Sequence, residues 1–340
     1  MKQTVVSFIS GCCAAVLGIC SASAGEVPGA LTSAAPALTN VGGRIVLAWA
    51  GESSSSEKKV WYATFNGQWT PEVEIPGALT TTAPALGVAG KQLYLATTPP
   101  GTDKIHYYST EHLVFEANSA PLCDAAECAH THASPALLGD GSTLYSAWTT
   151  PAGAIGYAMF SHGSWYVFPA PIPQATTRPT TGPTLAVYGD RLYVAWVEPS
   201  GEVISVTSAT LPLSSSSWSH QKTQIKALTK VAPALGVFTV PNSTVGSASK
   251  LTQALYLAWT TPQLIVDFAR WDPSAAKWKP APSPISLPSG ALTDFNPILD
   301  GFTTETSSQQ CLSTNVLAVA VKNPLHHRPS IFSQNLHGCP

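Results

Sequence analysis

The chain has 340 residues, of which only 11% are charged, and its formal net charge is −2. With no basic stripe along it, the composition argues against nucleic acid as a partner. Its 29 prolines, 25 glycines and many Ser and Thr residues, with no long stretch of apolar residues at helical spacing, point to short strands joined by turns.

At the N-terminus, Lys2 precedes the apolar stretch VVSFISGCCAAVLGIC and then Ala22-Ser23-Ala24, a small-x-small cleavage pattern. Residues 1–24 therefore read as a secretory signal peptide. Ile9-Ser10-Gly11-Cys12 loosely fits a lipobox, but the apolar run ahead of that cysteine is too short for a signal core. No other stretch approaches the ~18 apolar residues that span a bilayer. The expectation is a secreted chain, extracellular or periplasmic, with residues 25–340 as one domain and no membrane span. The signal removes Cys12, Cys13 and Cys20 and leaves Cys123, Cys128, Cys311 and Cys339. In an oxidising compartment that even set favours two disulfides over a metal site.

A repeat begins at once. PGALTSAAPAL at 28–38 returns as PGALTTTAPAL at 76–86. Its proline recurs at Pro36, Pro84, Pro135, Pro183, Pro233 and Pro297, at intervals of 48, 51, 48, 50 and 64. A tryptophan follows 13 residues after three of these: Trp49, Trp148 and Trp196, in VLAWAG, YSAWTT and YVAWVE. Thr97 takes that place in the second unit and Val321 in the sixth, while Trp259 stands in YLAWTT of the fifth after an insertion that includes PNSTVGSASK. A third landmark is VWYATF at 60–65, IHYYS at 105–109, IGYAMF at 155–160, VISVT at 203–207, IVDFARW at 265–271 and PSIFSQNL at 329–336. A fourth is a tryptophan after a tight turn: Trp69, Trp165, Trp218 and Trp278.

Four short strands per unit of about 48 residues is the arithmetic of a propeller blade. The expected fold is an all-β, six-bladed β-propeller of four-stranded antiparallel blades. The sixth unit has only three strands, and Glu26-Val27-Pro28-Gly29-Ala30 matches the fourth-strand segment Glu74-Ile75-Pro76-Gly77-Ala78. The N-terminal strand is thus expected to complete the last blade and close the ring, hiding strand edges that would otherwise pair with other chains. In this topology Cys311 and Cys339 fall on one face and are expected to bridge. Cys123 and Cys128 are expected to close a small loop between the second and third units.

The blade pattern of PAL, LYLAW, a third strand, G-x-W and IPGALTS resembles the bacterial and fungal propeller lectins of the Photorhabdus-type and Aleuria-type fucose-binding groups. It also resembles a worn version of sialidase blades, with only the end of their hairpin motif left in Asn66-Gly67-Gln68-Trp69 and His162-Gly163-Ser164-Trp165. The lectin resemblance implies carbohydrate binding between blades, without catalysis and without a cofactor. The sialidase resemblance implies three arginines around a carboxylate. Here Arg44, Arg178, Arg191, Arg270 and Arg328 are the only arginines, and no Arg-Ile-Pro opens the first unit.

Sugars present apolar C–H faces and hydroxyl rims, so their sites combine an aromatic platform with a few polar groups. Trp49, Trp148, Trp196 and Trp259 stand beside polar turns, Glu198-Pro199 among them, and are the first candidates for carbohydrate binding. An inter-blade core role is the competing reading. Trp61 and His106 share one slot on the third strand and are further candidates. Trp69, Trp165, Trp218 and Trp278 are read as structural. No Gly-x-Ser-x-Gly elbow occurs, and among the acids Glu52, Glu198 and Asp267 nothing marks a glycosidase pair. His130-Thr131-His132 and His326-His327 are read as loop histidines, with no metal assigned. Asn242-Ser243-Thr244 is a glycosylation sequon. A glycan-cleaving hydrolase is the first alternative. The second is a protein-interaction scaffold using the insertions around 240–250 and 303–313.

Overall fold

The computed structural model describes residues 25–53, 57–65, 68–241, 251–281, 297–304, 314–322 and 329–337. Every element among them is a β-strand, and they assemble as four-stranded antiparallel sheets. The first sheet runs Ala37–Val41, Arg44–Ala50, Lys58–Phe65 and Val73–Thr80. The second runs Ala85–Ala89, Gln92–Thr97, His106–Thr110 and Ala120–Pro121. The third takes Ala136–Asp140, Thr143–Thr149, Ile155–Ser161 and Ser164–Val167. The fourth takes Thr184–Tyr188, Arg191–Val197, Val203–Thr210 and Thr223–Lys226. The fifth comprises Ala234–Pro241, Leu251–Thr260, Val266–Asp272 and Lys277–Ala281. In the last sheet Ile298–Thr304, Thr314–Lys322 and Pro329–His337 are joined at the outer edge by Gly25–Glu26, with Gly25 opposite Ile331.

Each repeated proline stands immediately before a first strand, where its missing N–H removes no ladder bond. Residues at and beside the first strands line a cavity of about 660 Å³, Pro36, Pro84, Pro135, Pro183, Pro233 and Pro297 among them. The second strands of the first four sheets are buried along nearly their whole length, as the largely apolar runs RIVLAWA, QLYLAT, TLYSAWT and RLYVAWV require of a strand covered on both faces. Alternate side chains then serve alternate neighbours. Trp148 packs with Tyr94 and Ala96 of the preceding sheet, Trp196 with Tyr157 and Ile155, and Trp259 with Tyr193 and Val197. Trp49 packs with Val27 and Ala30 of the N-terminal segment.

The joints between sheets share a device that the eleven-residue phrase contains. Ala30-Leu31-Thr32, Ala78-Leu79-Thr80, Ala129-His130-Thr131, Ala175-Thr176-Thr177 and Ala227-Leu228-Thr229 place a buried alanine and a buried threonine around a more accessible residue. The hydroxyls of Thr32, Thr80, Thr131 and Thr229 each accept the N–H of the residue two further on and donate to its carbonyl. This local turn satisfies backbone that no strand could. Thr177 lacks it, and its buried hydroxyl has no partner, because the residue two further on is Pro179, which has no N–H.

Cys123 and Cys128 form a disulfide between the second and third sheets, as expected. Cys311, Cys339, the sequon Asn242-Ser243-Thr244, His326-His327 and the segment 1–24 lie outside the described residues. Within the disulfide loop the Asp124 carboxylate accepts the N–H groups of Ala126 and Glu127 and reaches Val167 N in the third sheet, each at 2.8 Å. Those three donors hold its carboxyl below the usual carboxylate range. A group with a depressed folded-state value stabilises above its unfolded value, near ~3.9, and loses that contribution as pH falls. Thermal stability is therefore expected to drop on acidification below about pH 4. Asp124→Asn should flatten that limb of a Tm-against-pH profile, and an unchanged profile would count against the assignment.

Candidate functional site

The structure places the four second-strand tryptophans in the core. Trp49 and Trp196 are 0% exposed, Trp148 4% and Trp259 8%, so none offers a ring face to a sugar. Burial of this kind fits the competing core reading: neighbouring elements pack against these four strands, and the indoles fill the gaps between them. Gly156 shows how tight this is, since a Cβ there would lie 2.6 Å from the Trp148 ring. Trp69, Trp165, Trp218 and Trp278 pack as structural residues. Trp165 meets Phe160 and Tyr107, Trp218 meets Tyr157, and Trp278 donates to Thr223 Oγ1 of the fourth sheet at 3.1 Å.

The third-strand residue opposite the tryptophan slot varies from sheet to sheet. Trp61 faces Trp49, His106 faces Thr97, Gly156 faces Trp148, Ser205 faces Trp196, Asp267 faces Trp259 and Ser330 faces Val321. Trp61 and His106 are half-buried. His106 Nδ1 lies 3.3 Å from Ser119 Oγ, and burial, with the nearby Lys104 charge, lowers its pKa. His130 pairs with Asp103 at 2.8 Å. No group of three or more His, Cys, Asp or Glu side chains among the described residues is placed to hold a metal ion.

The most developed polar cluster lies where the fourth sheet faces the third. Glu198 follows Trp196 by two residues, where the other described units carry Gly51, Pro99, Thr150 and Thr261. Its backbone is fixed by a turn in which Gly201 N donates to Glu198 O and Glu198 N to Val203 O, both at 2.8 Å. Gly201 suits the turn through its backbone conformation, and a side chain there would also displace Arg178. Its φ of +78° suits glycine, and a Cβ would lie 2.5 Å from Arg178 Nη2. Arg178 crosses from the preceding joint and donates to Pro199 O at 2.8 Å and Ser200 O at 3.0 Å.

Around the Glu198 carboxylate, Ser205 Oγ donates to Oε1 at 2.5 Å and Lys222 Nζ to the same oxygen at 2.7 Å. Gln224 Nε2 donates to Ser205 Oγ at 3.4 Å, and the Lys222 ammonium stands 5.9 Å from the Trp196 ring centroid. The Lys222 and Glu198 side chains are 27% and 16% exposed, well withdrawn from bulk water for an ion pair. Glu198 Oε2 accepts no hydrogen bond from any described residue. The cluster thus combines a free carboxylate oxygen, an ammonium with further N–H groups, and the exposed Gln224 amide. A vicinal diol can donate to the first and accept from the other two. Sequence reading had Glu198 as one acid among several. The signal that could have singled it out was its departure from the repeat.

Among the described residues no helix is long and apolar enough to cross a membrane. No protein-family profile and no curated protein sequence matches the chain. Solved structures do. A triple arginine mutant of AofleA from Arthrobotrys oligospora aligns over 93% of this chain and 86% of that one, with TM-score 0.64 and 13% identity. Aleuria aurantia lectin, in complex with Fucα1-6GlcNAc, aligns over 91% of this chain and 97% of that one, with TM-score 0.59 and 14% identity. Trypanosoma rangeli sialidase aligns over 90% of this chain but 55% of its own length, with TM-score 0.53 and 8% identity. At these identities the likeness is one of fold, and the chain shares the β-propeller fold of the fucose-binding lectins.

Proposed function

We propose that the chain is an exported six-bladed β-propeller, with residues 1–24 removed and the N-terminal strand closing the ring, that binds carbohydrate without catalysis. Closure is supported by the pairing of Gly25 and Glu26 with Ile331 and Ser330. It is supported also by the placement of residues from every first strand around one cavity. Carbohydrate binding is supported by the lectins that share the fold. The observation that carries it is the half-satisfied Glu198 carboxylate, flanked by Lys222 and Gln224. Such sites read hydroxyl groups through charge-assisted hydrogen bonds and reject ligands that leave those groups unpaired.

The test is a glycan array with the intact chain and with Glu198→Gln. The intact chain is expected to give discrete signals. The variant should weaken those read by Glu198 by roughly 10- to 100-fold, the worth of one or two hydrogen bonds to a charged group. Its Tm should fall measurably, since the amide still accepts from Ser205 but Lys222 loses its charged partner where water reaches it only in part. A blank array for the folded chain, or turnover of a labelled glycoside, overturns the reading.

A further inference from the structure

We propose a second carbohydrate site on the first sheet, built on Trp61, that differs in kind from the cluster at Glu198. The inference rests on the carbohydrate reading above. Its basis is that the repeat does not call for an indole at position 61, where the ring packs only in part against the core around Trp49. The equivalent slot holds His106, Gly156, Ser205 or Asp267 in the following sheets, and all of them pair normally with their second strands. In the first sheet alone two tryptophans face each other across the strand pair, Trp49 fully buried and Trp61 half-buried.

The surroundings of Trp61 are shaped to seat the ring. Gly51 lies beneath it, and a Cβ there would fall 2.8 Å from Trp61 Nε1 and 3.0 Å from Cδ1, so any side chain would lift the indole. On the other side Trp61 pairs in register with Glu74, and paired residues project to the same face. Glu74 Oε2 binds Lys59 Nζ at 2.9 Å, with both side chains well exposed at 38% and 60%. A partly exposed aromatic ring beside a carboxylate and an ammonium is the combination that recognises a pyranoside. The ring takes the apolar C–H face, and the charged pair takes hydroxyls at its edge.

The two sites read different features. At Glu198 the indole beside the Lys222 ammonium, that of Trp196, is fully buried, so recognition there rests on hydroxyl geometry. At Trp61 the platform is available and the ion pair is solvated, so stacking leads. The first and fourth sheets are three apart in the ring, so the sites would face opposite ways. One chain could then hold two different glycan determinants at once.

The experiment is the same glycan array, read with Trp61→Ala, Glu74→Gln, Glu198→Gln and the Trp61→Ala/Glu198→Gln pair, each first shown folded by its Tm. Glu74 is exposed, so its variant keeps the test open if Trp61→Ala does not fold. The expected result is two separable sets of signals. One should fall roughly tenfold or more with Trp61→Ala and Glu74→Gln, the other with Glu198→Gln alone, and both with the pair. Signals that all depend on Glu198 and ignore Trp61 and Glu74 overturn the second site and leave the first standing. An array blank for the intact chain overturns both.

Discussion

Trp196→Ala is expected to destabilise the protein by about 3–5 kcal/mol, the range for emptying a buried aromatic position. Trp196 is 0% exposed and fills the space between the fourth sheet and Tyr145, Ala147, Ile155 and Tyr157 of the third. Its Nε1 has no hydrogen-bond partner, so the loss is one of packing and not of a polar contact. The neighbours are strands locked in their own ladders and can close over the void only in part. Denaturant unfolding of the variant measures the effect. Loss of glycan binding with unchanged stability would show instead that the ring serves as a ligand platform. A substitution that keeps most of the volume, Trp196→Phe, should cost distinctly less.

Gly139→Ala should be damaging for the opposite reason. Gly139 lies in the first strand of the third sheet, and a Cβ there would fall 1.5 Å from Val88 O and 2.3 Å from Val88 C in the first strand of the second sheet. Backbone cannot swing aside as a side chain can, so the two innermost strands must separate. The hydrogen bond from Gly90 N to Gly141 O beside them, 2.6 Å long, would be strained with them. Overpacking costs of about 1–3 kcal/mol are usual, and this change is expected at or above the top of that range. Gly141 provides the contrast. Its φ is +57° and nothing lies within 4 Å of a built Cβ. Gly141→Asn, which tolerates that backbone conformation, should therefore be nearly neutral. Comparable Tm values for the two variants would refute the close-approach argument.

These two residues also show where the sequence was readable. The period of the prolines, the apolar second strands and the hairpin tryptophans identified four-stranded antiparallel sheets, because each is a local signal of chain direction and burial. The short spacing of Cys123 and Cys128 identified their bridge for the same reason. Gly139 gave no such signal, since its need for space comes from Val88, on another sheet. Nor could the sequence separate Trp196 as core from Trp61 as accessible: both are strand tryptophans beside polar residues, and only the packing of a neighbouring sheet distinguishes them.

The polar cluster follows the same division. Ser205 and Gln224 lie on two strands, Glu198 in the turn after the second strand and Lys222 in the loop before the fourth, and strand pairing gathers them. Arg178 belongs to the joint before the fourth sheet and meets the Glu198 turn only because the joint folds back over it. By itself the sequence determined the repeat, the strand order within each unit and the all-β class, because hydrophobic period and turn chemistry act over neighbouring residues. Tertiary structure alone decided which indoles are covered, which carboxylate keeps an open oxygen and which gaps between sheets are polar. Those properties depend on what the adjoining sheet brings, and that is fixed by residues some fifty positions away.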